Sequence, residues 1–209
     1  MKRLLLRIAS FLLVPASCLV HAADAIDAPV HKVGDSWVWS WRVNPRDSCT
    51  TGINPGAKMT QTVTEVTASG YKAEFTGPRE GAKFNRNYGK DLAYNVTNSG
   101  EIFRSDVFNF PIQEGKPWDT TLRGGDVLTN LKCKAGANEK LKVGQEELDV
   151  SPIICEGRWK NLTYGNGDQA TYKYWYSPEK RNMVKGTVFT WYQGKVCADQ
   201  EYVLESSSR

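Results

Sequence analysis

Apolar and polar residues alternate with a period of two along most of this chain. SWVWSWRV (36–43) puts Trp37, Trp39, Trp41 and Val43 on one face and Ser36, Val38, Ser40 and Arg42 on the other. KMTQTVTEVT (58–67) is rich in Thr and Val, which suit a pleated surface. The pattern recurs in YKAEFT (71–76), LAYNVT (92–97), VLTNLKC (127–133) and both halves of KLKVGQEELDV (140–150). It continues in IICEGRW (153–159), QATYKYWY (169–176), MVKGTVFTWYQ (183–193) and VCADQEYVL (196–204). Turn sequences such as NPG, ASG, GPREG, RGG, GNG and SPEKRN separate these runs. Beyond the first 22 residues, no stretch keeps apolar residues at helical spacing over three turns.

The pattern predicts an all-β fold of about nine to eleven strands in a single domain over 33–205. That many strands must bend, close or split into two sheets. The expected architecture is an antiparallel meander forming a curved sheet or partial barrel, with a two-sheet β-sandwich as the alternative. Residues 23–32 read as a flexible N-terminal segment and 206–209 as a frayed tail.

The row of three tryptophans needs a cover. At ~200 Å² each and ~25 cal/mol per Å², hiding three indoles is worth roughly 15 kcal/mol gross. Other strands can supply that cover as ordinary core, from Tyr71, Phe75, Tyr94, Tyr172 and Phe189 among others. Sheets pack ~10 Å apart, however, and rows of large rings facing each other fit poorly at that distance. A wider, aromatic-lined cavity for a hydrophobic ligand relieves the conflict. The candidate ligand-binding residues are Trp37, Trp39, Trp41, Tyr174, Tyr176 and Trp191.

The chain's start changes the charge. Lys2, Arg3 and Arg7 flank a short apolar run that ends in VHA at Ala22, the pattern of a cleaved secretory signal peptide. The whole chain has 27 basic and 23 acidic residues, formally +4. Removing the leader takes three basic and no acidic residues, leaving 24 against 23. A near-neutral surface offers no clustered cations for a nucleic-acid partner. No later segment reads as transmembrane, so a periplasmic or secreted location is expected. Four cysteines remain, an even number in an exported chain, which suggests two disulfides. Of three possible pairings, Cys49–Cys197 with Cys133–Cys155 is preferred, because the first ties the ends of the domain together.

Three patches resemble a group of exported bacterial β-rich proteins of uncharacterised function. They are VGDSW (33–37), FPIQEGKPW (110–118) and YWYSPEKRNMVK (174–185), in that order. Where the group has Val-Pro-Ala-Gly-Thr-Phe before a late strand, this chain reads VSPIIC (150–155). The resemblance implies an exported β-rich domain similar to lipoprotein-carrier half-barrels, and it carries no catalytic residue. The patches also read without any family, as turn-and-core punctuation built from Gly, Pro and aromatics.

Catalytic constellations are scarce. Past the leader the only histidine is His31, too little for a multi-histidine zinc site, and cysteines held in disulfides ligate no metal. No phosphate-binding or calcium-loop motif occurs, so no cofactor and no metal are expected. Glu146, Glu147 and Asp149 are the one carboxylate cluster. Adjacent strand residues face opposite ways, and glycoside hydrolysis needs two carboxyls across a cleft. Three readings follow. The first is a non-catalytic binding module for a hydrophobic, lipid-like ligand. The second is a structural or interaction domain with an envelope-protein partner, and the third a carboxylate-based hydrolase.

Overall fold

The structure, a computed structural model, describes residues 25–50, 56–77, 82–98 and 101–208. The expected leader, 1–22, lies outside the described residues. Thirteen strands and no helix occur among those residues. They are β1 (Ser36–Val43), β2 (Ala57–Thr67), β3 (Gly70–Thr76), β4 (Lys83–Gly89), β5 (Tyr94–Asn98), β6 (Glu101–Ser105) and β7 (Pro117–Gly124). The rest are β8 (Val127–Ala135), β9 (Glu139–Val143), β10 (Glu146–Asn161), β11 (Gly167–Ser177), β12 (Asn182–Tyr192) and β13 (Lys195–Ser208). No helix among the described residues is long and apolar enough to cross a membrane.

All pairings are antiparallel, in the order β6-β5-β4-β3-β2-β1-β13-β12-β11-β10-β8-β7, with β9 on β10 outside that path. The sheet curls until its two end strands, β6 and β7, lie side by side, so the barrel is nearly closed with one unsealed seam. Side chains bridge that seam. The Ser105 hydroxyl donates to the Thr121 carbonyl (3.2 Å), and the Thr120 hydroxyl to the Asp106 carboxylate (2.7 Å). This is the expected curved sheet and partial barrel.

Three strands carry no clear alternation signal. β4 (KFNRNYG) hides its inward series Phe84, Arg86, Tyr88 behind an arginine, and β7 opens on Pro117 with Thr120 at an inward position. β6 is short. Conversely, two expected strands merge into β10, which runs through Pro152. One edge of β10 pairs with β9 up to Val150 and with β8 from Ile153. Pro152 falls at that change of partner, where a residue without an N–H breaks no ladder.

Both expected disulfides form, Cys49–Cys197 and Cys133–Cys155. Cys133 and Cys155 are directly opposed on β8 and β10. Residues 25–32 lie against the barrel: Ile26 exchanges two 2.8 Å backbone hydrogen bonds with Ile112, and His31 is buried. Ser206, Ser207 and Ser208 continue the β13 ladder against β1. Backbone pairing needs no side-chain pattern, so neither contact is visible in the letters.

Candidate functional site

The tryptophan row runs from packed core into open space. Trp37 is fully buried, and its indole N–H donates to the Lys180 carbonyl (2.8 Å). Trp39 donates to the Met183 carbonyl (2.9 Å) and also borders a cavity. Trp41 is half-buried, lies 4.9 Å from the Tyr202 ring and lines the same cavity. One strand face thus anchors the closed end of the barrel and walls its hollow.

The hollow measures about 600 Å³. Small-molecule sites span ~300–1,000 Å³. From β1 round to β4 its wall is Trp39, Trp41, Met59, Tyr71, Phe75, Phe84 and Tyr88. Across from them stand Leu122 of β7, Val127 of β8, Tyr172 and Tyr174 of β11, and Val188 of β12. Phe108, from the segment between β6 and β7, closes one side. Phe84 is 40% exposed, which places it at the rim.

The polar groups of this wall are few. Burial pushes the phenols of Tyr71, Tyr172, Tyr174 and Tyr202 above their ordinary range, so each keeps its proton at physiological pH. Gln61 accepts from the Asn182 amide (3.1 Å), which holds both side chains in place. Arg86 enters from β4, its guanidinium 4.1 Å from the Tyr94 ring centre and farther from those of Phe84 (5.3 Å) and Phe75 (5.4 Å). No Asp or Glu is part of the described wall.

Of the six candidates read from the sequence, the fold brings Trp39, Trp41 and Tyr174 together on this wall. Trp37 and Tyr176 belong to the core beneath it, at 0% and 1% exposure. Trp191 packs edge-on against Phe189, 4.4 Å away, and its carbonyl accepts from the Trp159 indole. The register of β12 against β13 shifts between Thr190 and Trp191. Strict alternation therefore fails at that position. Phe84, Arg86, Tyr88 and Phe108 were not read as site residues. The spacing of Phe84, Arg86 and Tyr88 is the signal that could have found the first three.

The stretches VGDSW, FPIQEGKPW and YWYSPEKRNMVK meet at the closed end. Asp35, fully buried, accepts from Arg181 (3.0 Å) and from the backbone N–H of Lys32 (2.9 Å). Phe110 packs edge-on against Tyr176 (5.2 Å), and Lys116 donates to the carbonyls of Asn109 and Pro111. The patches build the plug of the barrel. His31 sits there between Trp37 and Tyr71, and its pKa falls to about 4. Burial is the larger cause and the Arg181 charge the second; Asp35 pulls weakly the other way.

Glu146 and Asp149 are spent on ion pairs with Lys180 and Lys140 at the surface, and Glu147 is exposed. Among the described residues, no group of three or more His, Cys, Asp or Glu is placed to hold a metal. No family model, curated protein or solved structure matches the chain.

Proposed function

We propose that this chain is an exported, non-catalytic binding module that holds a hydrophobic, lipid-like small molecule inside its barrel. The observation that carries this reading is the cavity of about 600 Å³ walled by aromatic and aliphatic side chains. A hollow with such a wall is poorly hydrated and favours an apolar guest over water. Export is supported by the charged, then apolar, start of the chain and by two disulfides, which persist in oxidising compartments. The resemblance to exported bacterial proteins and carrier half-barrels points the same way.

Native mass spectrometry of protein purified from a bacterial periplasm, before and after organic extraction, tests the reading. A stoichiometric apolar adduct, lost on extraction with a shift in tryptophan emission, is expected. A clean mass, with emission unchanged by added lipid, would favour the second reading, an envelope interaction domain. The unpaired edges of β6 and β7 at the seam are the observation for that alternative.

A further inference from the structure

Two arginines, Arg86 and Arg123, line the cavity, and among the described residues no carboxylate does. Arg86 brings a guanidinium, which donates and never accepts. Its described contacts are three ring faces and the Tyr88 hydroxyl. A cation on ring faces keeps most of its N–H groups available for an oxygen acceptor. The Trp41 and Tyr71 rings also line the cavity, while Trp41 Nε1 and Tyr71 Oη are themselves covered by protein.

A purely apolar guest would leave the Arg86 guanidinium without a negatively charged oxygen acceptor in a low-dielectric space, at a cost. A guest with a negative oxygen-rich end would supply one. No carboxylate of the described wall competes for Arg86.

We infer that the ligand is a single-chain anionic amphiphile whose oxyacid head group is bound by Arg86, with its tail against Trp39, Phe75, Phe108 and Leu122. The inference rests on the binding-module reading and adds the charge of the ligand. The head group's chemistry, oxygen acceptors carrying negative charge, is shared by a carboxylate and a phosphate monoester. One alkyl chain, rather than two, suits a hollow in the middle of the small-molecule range.

The test is a titration of the purified, delipidated full chain with four probes of one tail length: hexadecanoate, hexadecyl phosphate, hexadecanol and hexadecyltrimethylammonium. At least one of the two anions should bind about tenfold or more tighter than the alcohol. Which anion binds tighter tells a fatty-acid-like from a phosphate-headed ligand. The cation should bind weakest. Arg86→Met should weaken the anions about tenfold more than it weakens the alcohol, so that their advantage is lost; Arg86→Lys should keep part of it. Thermal unfolding of both variants checks that they are folded. If acid and alcohol bind equally, or if Arg86→Met keeps the anion preference, the anionic ligand is refuted while the hydrophobic pocket stands. If none of the four binds, alcohol included, the pocket reading falls with it.

Discussion

His31 and Asp35 show what burial does to single residues at the closed end. The His31 ring has no hydrogen-bond partner among the described residues, and its Nδ1 lies 3.6 Å from the Asp35 carboxylate. Its pKa falls from 6.5 to about 4 in the folded chain. Between those values the unfolded chain binds the extra proton and the native one does not. Stability therefore declines as pH drops from 6.5 towards 4, by at most about 3 kcal/mol from this group. Urea unfolding at a series of pH values should show the decline, and His31→Phe should flatten it over the same window. No flattening would mean that the ring is protonated normally. Asp35 is the stronger anchor. Asp35→Ala takes the carboxylate partner from Arg181, which keeps the Val30 carbonyl, and the acceptor from the Lys32 amide, and about 3 kcal/mol of stability should go with it.

At the scale of the element, β1 divides its tryptophans between two duties. Trp37 fills the plug, so Trp37→Ala should cost about 3–5 kcal/mol in chemical denaturation. Trp41 faces the hollow, half-buried and with its indole N–H unpartnered, so Trp41→Ala should cost only about 1–2 kcal/mol. The order reverses for binding. A neutral naphthylamine dye titrated into Trp41→Ala should bind at least about fivefold more weakly than into wild type. Equal stability losses for the two variants would contradict this division. The period of two was legible in every letter of SWVWSWRV. Which ring is core and which is wall depends on how far along the barrel axis the plug reaches, and that is set by Lys180 and Met183 from distant sequence and by His31 from the segment before β1.

Across the whole molecule, stability is spread unevenly. β5 joins β4 through a single residue pair, Tyr88 with Tyr94, whereas β11 pairs over ten residues with β10. Backbone amides of β5 and β6 should exchange with deuterium at least about a hundredfold faster than those of β10, β11 and β12. Uniform protection would mean that the seam is sealed in solution. The two disulfides also act at this scale. Cys49–Cys197 spans 148 residues and Cys133–Cys155 spans 22. In the chain-entropy account the first contributes about 5 kcal/mol and the second about 3. Paired Cys→Ala substitutions, compared by denaturation, should reproduce that order.

The letters alone determined the all-β class and the location of the aromatic wealth; they favoured, without deciding, the curved sheet over the sandwich and one of three cysteine pairings. These are local matters: alternation, turn chemistry, and an even cysteine count in a chain with an export-like start. Tertiary structure decided the rest. It placed Trp39, Trp41 and Tyr174 round one hollow, sent Trp37 and Tyr176 into the plug, and set Trp191 against Phe189. It drew Arg86 from an unpromising polar strand into the cavity wall, and docked 25–32 across the closed end. The physical reason is the same in each case. A strand's pattern states which side chains share a face, but closure of the sheet decides what that face meets, and a hollow exists only between strands far apart in sequence.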